Sequence, residues 1–480
     1  MKIQFNPKDF LRKFRLAATA VGKENYGRHI TSVKIVADTR LGIALLATNF
    51  DMTIRVRVDG IVDIGGAALL PVKRLDKFLQ LCKDASATLE STKTGVVLQS
   101  GTVRVALVSV DPKEFPDVVE FPESGYCEIM AGALQAAINR TAFAADKDTG
   151  YHCYTGVCFE SDGIRLDVVA TDGQSMAWQQ INGIDCRIEK SVVPSATLAL
   201  LEKVMKDKTV IDKHDDVKMA FRDNSVFFQC GEVTIFSRLA EERFPAWKTL
   251  VPNKRKMPHA KVPCGELQAA VCRAMICTNK SSPRITLTLD SGLLTIESRF
   301  NETVWSKRKS DDYRDDNYDK FESIEESGGS RHIVPVSYTG KPASFCIDPK
   351  RLANFLSAFK DDTELFLYLP MHADMPVLIV PENGYTYLIK PQNESANAQS
   401  EEEPDAVMGV EVDGLAEEKP MTNSEEISAC PVDVMDTKMF QLISENEQLH
   451  AKAEHYKALL ERAMRVIEKM KAKDRCVAFS

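Results

Sequence analysis

PVKRLDKFLQLCKD (Pro71–Asp84), PSATLALLEKVMKD (Pro194–Asp207) and DPKRLANFLSAFKD (Asp348–Asp361) are one segment written three times. Each starts at or beside a proline and ends in Lys-Asp. Bulky apolar residues fall at i, i+3 and i+7: Leu75, Phe78 and Cys82; Leu198, Leu201 and Met205; Leu352, Phe355 and Phe359. That spacing is the buried stripe of an amphipathic helix. The first two copies lie 123 residues apart, an offset that also carries Ala47-Thr48-Asn49 onto Ala170-Thr171-Asp172, with Met176 answering Met52. The third copy follows after 154 residues, and its excess has a source in Ser306–Ser330, where 13 of 25 residues are charged and a solvated loop insertion is expected. The chain is a repeat array of three units.

Around each repeated helix the pattern is helix, strands, helix, strands. Leading helices are expected over Pro7–Val21, Ala131–Ala145 and Cys264–Met275. Short period-two or apolar runs such as VKIVAD from Val33, GIRLDVVATD from Gly163 and RITLTLD from Arg284 read as strands broken by turn residues. With no βαβ alternation, the fold class is α+β, each unit carrying two helices on antiparallel sheets. The expected boundaries are 1–123, 124–254 and 255–392, the last containing the insertion 306–330. About 390 residues at roughly 100 to 150 per core suits three domains.

No apolar run approaches the ~18 residues of a spanning helix, and MKIQFNPKDF lacks the apolar core of a signal peptide, so a cytoplasmic protein without membrane contact is expected. Twelve cysteines include no Cys-x-x-Cys pair, and most sit in apolar runs, which favours free buried thiols over disulfides or a metal site. There is no Gly-x-x-x-x-Gly-Lys-Ser/Thr loop, no His-Glu-x-x-His and no Gly-x-Ser-x-Gly elbow. Acid pairs such as Asp215-Asp216 and Asp311-Asp312 lie in hydrophilic stretches where solvated charge is the ordinary state. No catalytic residue, cofactor or metal is expected.

Charge is unevenly placed. The whole chain carries a formal −8, yet five of the six expected helices have an excess of Lys and Arg, +11 in all when counted inside the terminal aspartates. On any one helix this would be a solvated face; the same sign on five suits a phosphate backbone, which lysines bind by counterion release without reading sequence. Lys8, Arg12, Lys13, Lys73, Arg74, Lys77, Arg140, Lys203, Lys206, Lys350 and Arg351 are the candidates.

The runs VVATDGQSMA (Val168–Ala177) and FSRLAEERFPAWKTLVP (Phe236–Pro252), Phe115-Pro116, and Tyr387-Leu388-Ile389-Lys390-Pro391 resemble the bacterial DNA polymerase III beta subunits, the sliding clamps, over roughly residues 1–392. The resemblance implies two protomers joined head to tail, a homodimeric ring whose helices surround double-stranded DNA while its sheets form the outer wall. It also implies an apolar pocket between the second and third domains for short peptides of the DNA polymerase III alpha subunit, the clamp loader and other proteins bearing a clamp-binding motif. Carried over position by position, the pocket is Tyr154, Thr171, Gly173, Met176, Pro245, Leu250, Pro376, Leu388 and Pro391. For each of these the plain alternative is core packing, and for Gly173 a turn glycine. Where the family has His-Arg after the glycine this chain has Gln174-Ser175, and its end reads Lys390-Pro391-Gln392. DNA contacts transferred by the resemblance add His152 and Cys153, which replace a tyrosine pair, to the basic set of Lys8, Arg12, Lys73, Arg74, Lys77, Arg140 and Lys203. The implied function is that of a non-catalytic processivity factor. The alternative is a scaffold that oligomerises through its repeats and a C-terminal coiled coil without DNA.

Residues 393–480 fall outside that pattern. Glu394–Asp433 holds twelve acids against Lys419 alone, so 393–433 is expected to be a self-repelling linker. From Met439 a heptad places Met439, Asn446, Ala453, Leu460 and Ile467 at a, and Leu442, Leu449, Tyr456, Ala463 and Met470 at d, predicting a coiled-coil helix over 434–474, with an amphipathic helix folded onto the ring or lying on a membrane surface as the alternatives.

Overall fold

The computed structural model describes residues 1–392 apart from 24–26, 28, 147–151, 308–320, 373–374 and 382–383. The linker 393–433 and the heptad segment 434–474 therefore lie outside the described residues.

The same element order runs through the chain three times, with one additional strand, β5, in the first repeat. The first repeat is β1 (Lys2–Phe5), α1 (Pro7–Ala18), β2 (Ser32–Asp38), β3 (Gly42–Thr48), β4 (Met52–Val58), β5 (Ile61–Ile64), β6 (Gly66–Pro71), α2 (Val72–Leu81), β7 (Ala87–Ser91), β8 (Gly95–Ser100) and β9 (Val103–Val108). The second is β10 (Cys127–Met130), α3 (Ala131–Thr141), β11 (Gly156–Asp162), β12 (Arg165–Thr171), β13 (Ser175–Asn182), β14 (Arg187–Pro194), α4 (Ser195–Lys206), β15 (Asp216–Arg222), β16 (Ser225–Cys230) and β17 (Val233–Arg238). The third is β18 (His259–Pro263), α5 (Cys264–Ile276), β19 (Ile285–Asp290), β20 (Leu293–Lys307), β21 (Phe321–Pro335), β22 (Ala343–Ile347), α6 (Pro349–Leu356), β23 (Glu364–Tyr368), β24 (Val377–Pro381) and β25 (Tyr385–Ile389).

Proline marks the helices because it is suited to their first turn, where its missing N–H has no intrahelical partner. Pro7 and Pro349 open α1 and α6 behind side-chain caps: Asn6 accepts from the Lys8 and Asp9 N–H groups, and Asp348 from that of Lys350. The helices stop earlier than periodicity predicts, α1 at Ala18 and α6 at Leu356. The charged stretch 306–330 also differs from a loop, because Ser306–Lys307 end β20 and Phe321–Ser330 belong to β21.

All strand pairings are antiparallel, and the sheets do not respect the repeats. One eight-stranded sheet runs β10-β15-β16-β17-β4-β3-β2-β6, and another runs β14-β11-β12-β13-β25-β24-β23-β18. Each is two four-stranded halves from neighbouring repeats, joined by β17 to β4 (Val233↔Val56 to Ser237↔Met52) and by β13 to β25 (Ser175↔Ile389 to Gln179↔Tyr385). The remaining halves are a five-stranded sheet, β5-β1-β7-β8-β9, and a four-stranded one, β21-β20-β19-β22. Register corrects one sequence match: Thr48 pairs with Thr53 and Thr171 with Met176, so Thr53, not Met52, holds the place of Met176.

The helices cover one face of this sheet system. Phe10, Phe14, Leu134, Ile138, Leu267 and Val271 meet the strand side chains in one continuous core. Ten cysteines among the described residues are free. Burial pushes the Cys230 thiol up to about 12, and burial with the nearby Asp361 carboxylate pushes Cys264 up to about 11, so both stay protonated near neutral pH.

Candidate DNA- and peptide-binding surfaces

On the helix side, the basic residues divide into those tied inside the fold and those left at the surface. Lys13 is only 7% exposed, and its Nζ meets Asp59 at 2.9 Å, Glu232 at 3.2 Å and Asp9 at 3.6 Å. Burial opposes its charge, but these three carboxylates outweigh burial and raise its pKa. Lys13 therefore locks the first repeat to the second. Arg12 bridges Asp9 at 2.5 Å and reaches Asp207 at 3.5 Å, across the same border. Arg15 grips Asp76 at 2.5 Å and holds that carboxyl below the usual range.

Arg140 lies over the Phe359 ring at 5.2 Å and donates to Gln179 Oε1 at 3.2 Å, while its carbonyl accepts from the Tyr385 hydroxyl at 2.9 Å. It fastens the second repeat to the third. Arg351 Nε donates to Asp172 Oδ2 at 2.7 Å across that border, and its Nη1 meets Asp348 at 2.5 Å. Lys8, Lys73, Arg74, Lys77, Lys203, Lys206 and Lys350 are exposed. Lys8, Arg12, Arg15, Lys203 and Lys206 share an open groove of about 500 Å³ between α1 and α4, with Leu11, Leu16 and Asp207. Asp9 and Asp207 hold Arg12, Asp76 holds Arg15 and Glu202 pairs with Lys206, while Lys8 and Lys203 complete the basic lining. Cys153 is buried, its N–H donating to Glu242 at 3.3 Å; His152 opens the same short 3-10 turn, Tyr154 closes it, and the His152 side chain lies outside the described residues.

The other face carries several of the residues that the resemblance assigns to a pocket. Between β12 and β13 the chain turns at Asp172-Gly173-Gln174. Asp172 Oδ1 accepts from the Gln174 and Ser175 N–H groups at 2.9 and 2.6 Å, and Thr171 Oγ1 accepts from the Gly173 N–H at 3.1 Å. Gly173 has φ +80°, which disfavours a side chain and leaves this rim bare. Alternation then sends Tyr387 to the helix side, stacked on Phe355 at 4.6 Å, and its neighbour Leu388 to the opposite side.

There Met176 and Leu388, paired across the β13–β25 ladder, join Val169, Phe244, Trp247, Met257 and Leu378 in a second apolar cluster. They are 3% and 4% exposed. Thr171 is buried as well; Tyr154, Pro245, Pro376 and Pro391 are half-buried, and Gly173 and Leu250 are exposed, Leu250 by 53%. Of the nine, Met176, Leu388 and Thr171 are buried, and the other six are partly or largely exposed.

The transferred residue set left out two of the three tryptophans. Trp178 and Trp247 pack at 5.0 Å, Trp178 Nε1 donating to Asp167 at 3.0 Å and Trp247 Nε1 to Glu160 at 3.1 Å. Lys248 adds a 2.8 Å ion pair to Glu160. Burial works to raise the Glu160 pKa, but the Lys248 and Trp247 bonds outweigh it and lower it. Phe-Pro-Ala-Trp at 244–247 carries the signal: two large rings flanking a proline beside a strand end point to a covering strap. Among the described residues no group of three or more His, Cys, Asp or Glu side chains is placed to hold a metal ion, and no helix is long and apolar enough to cross a membrane.

Three repeats joined edge to edge, helices on one side and sheets on the other, define the clamp class of fold. Residues 128–246 match the family described as DNA polymerase III beta subunit, central domain. The beta sliding clamp of Vibrio cholerae is 22% identical over 362 residues, 74% of this chain and 89% of its own length. That of Synechococcus elongatus is 23% identical over 399 residues, 82% of this chain and 99% of its own. The structure of the Pseudomonas aeruginosa sliding clamp bound to griselimycin aligns with a TM-score of 0.68 at 20% identity, covering 82% of this chain and 99% of that one. The chain is of the DNA polymerase III beta-subunit family, the beta sliding clamps, and its function is that of a non-catalytic DNA sliding clamp.

Proposed function

We propose that two copies close head to tail into a ring around duplex DNA, with the domain boundaries near 123 and 254. The ring would work beside a replicative polymerase in the cytoplasm. One observation carries the proposal: of three equivalent borders in a closed array, two are built within the chain, and the parts for the third are left over. By internal equivalence β21 corresponds to β4 and β13, and β9 to β17 and β25. The helix pairs repeat likewise, α1 with α4 through Arg12 and Asp207, α3 with α6 through Arg140 and Phe359, leaving α5 and α2.

These free ends bear exposed apolar residues. Val103 and Val108 of β9 are 52% and 76% exposed, Ile333 of β21 56%, Leu81 at the end of α2 77% and Ile276 at the end of α5 81%. An unpaired edge strand is a template for another strand. Register transfers too. Ser100↔Val103 corresponds to Cys230↔Val233, and Arg299↔Gly329 to Thr48↔Thr53. The third ladder then sets Val103–Leu107 of one copy against Gly328–His332 of the other.

In such a ring the helices line the hole. DNA would be held by topology, with Lys8, Lys73, Arg74, Lys77 and Lys203 easing loading and sliding. The deciding experiment is retention on nicked circular DNA loaded by a clamp loader: the ring should stay on circles at high salt and slip from the same DNA once linearised. Equal retention on both, or no DNA dependence at all, would favour the scaffold alternative. Changing Lys73, Arg74 and Lys77 together to Glu should weaken binding to linear DNA at low salt and flatten its salt dependence by about three counterions, since each neutralised phosphate releases roughly one. Unchanged binding would remove α2 from the channel.

The outer face between the second and third repeats would take the clamp-binding peptides of the DNA polymerase III alpha subunit, the clamp loader and other partners. Leu250 gives the cleanest test because it is 53% exposed. Leu250→Ala should lower affinity for a Gln-Leu-x-Leu-Phe peptide by about tenfold with little change in melting temperature. Full affinity with the fold intact would exclude this rim. Met176→Ala and Leu388→Ala would disturb folding and binding together, since both side chains are core.

A further inference from the structure

The two borders built within the chain end their ladders in the same way. At one, the Arg238 N–H donates to Asp51 O at 2.9 Å; at the other, the Lys390 N–H donates to Gln174 O at 2.8 Å. Both acceptors lie in tight turns, 48–53 and 171–176, which carry the chain back into the sheet and stop the pairing. The third copy has no such turn. Its place is taken by a ribbon in which β20 and β21 pair from Leu293↔Pro335 out to Lys307↔Phe321.

Only Leu293–Ser298 of β20 also pairs with β19, so residues 299–307 and 321–329 form a two-stranded extension with no third strand among the described residues. Such a ribbon is marginal in water by itself. Its base is closely packed: a Cβ at Gly329 would stand 2.6 Å from the Ser298 carbonyl oxygen, and one at Gly328 2.7 Å from the Phe300 ring. Ser327 holds the position of Asp51 and Gln174, and β21 reaches six residues further, to Phe321.

The strand it would meet also has room to continue. The Ser109 N–H turns inward to Thr94 O at 3.3 Å, so by alternation the backbone groups of Val108 and Val110 face the open edge. Pairing must end at Pro112, which has no N–H and opens a 3-10 turn.

We propose that the ribbon prolongs the ladder between two copies of this chain, Ser327–Ile324 of one running along Val108–Asp111 of the other. The proposal rests on the head-to-tail ring. It makes the border between copies longer than either border within a copy. Opening the ring then requires peeling away this extension as well as the common ladder.

Two cysteine pairs introduced into the full chain separate the claims. Val105→Cys with Ser330→Cys reports the common ladder, and Ser109→Cys with Glu326→Cys reports the extension. Both join residues expected to face one another as closely spaced antiparallel pairs, within disulfide reach. Under mild oxidation both should give a covalent dimer on a non-reducing gel, above the background of the unsubstituted chain. Linkage of the first pair alone would overturn the extension and leave the ring standing; linkage of neither would overturn both. Linkage of the second alone would refute the register. Glu325→Pro removes an N–H on the outward edge only, a place where an edge strand tolerates proline. Exchange between fluorescently labelled copies should become roughly 5-fold faster, the size of one lost ladder hydrogen bond; an unchanged rate would count against the extension.

Discussion

Trp247→Ala is expected to destabilise the protein by about 3 to 5 kcal/mol, the range for removing a large ring from a packed core. The side chain is 1% exposed and lies against Trp178, Phe244 and Met257 over the β13–β25 ladder. Its loss leaves a cavity beneath the 239–257 strap and takes from Glu160 one of its two side-chain partners. Denaturant unfolding followed by circular dichroism measures the cost. A loss below about 1 kcal/mol would mean that the strap is not packed as a core. Trp247→Phe, which keeps an aromatic ring but loses the N–H and part of the indole volume, should cost less than Trp247→Ala.

Leu81→Asp combined with Ile276→Asp should convert the dimer into a folded monomer. Both side chains stand at helix ends, 77% and 81% exposed, so a charge there costs the isolated protomer little. At the third border they would face one another as α1 faces α4 and α3 faces α6. Placing two carboxylates in that contact replaces apolar burial with repulsion. Light scattering after gel filtration should read one chain mass, with retention on circular DNA lost although Lys73, Arg74 and Lys77 are untouched. A double variant that still runs as a dimer would refute the helix apposition, and one that aggregates or melts early would show that these ends pack within the protomer.

How much of this was legible in the residues depends on the range of the interaction. The repeated helices were, because their stripes are local: Leu75, Leu198 and Leu352 announce a buried face from neighbours within one turn. The short strands that open each repeat, Lys2–Phe5, Cys127–Met130 and His259–Pro263, were not, since four or five residues carry little periodicity and their pairing partners lie far along the chain. Charge sign on the helices was readable, but its use was not. Lys13 looks like Lys8 in sequence, yet it is neutralised by Asp59 and Glu232, 46 and 219 residues away. Arg140 is likewise placed by Phe359 and Gln179. Among the residues assigned to the peptide site, Gly173 was legible as a turn glycine. That Met176 and Leu388 sit beneath a tryptophan strap follows only from which face of the ladder each occupies.

The offset between sheets and repeats bears on how such a chain can be rearranged. The unit that repeats in the sequence runs from one short opening strand to the next, but the unit that closes its hydrogen bonds straddles two repeats, β4 against β17 and β13 against β25. Exchanging one repeat with a relative's would therefore sever a ladder on at least one side and oppose side chains with no shared history, Ile54 against a foreign Ile235, or Met176 against a foreign Leu388. Grafts are better cut through the middle of a repeat, between its two half-sheets, so that each border travels whole. In this architecture a substitution at a seam is felt across the ladder, by a side chain of the neighbouring repeat.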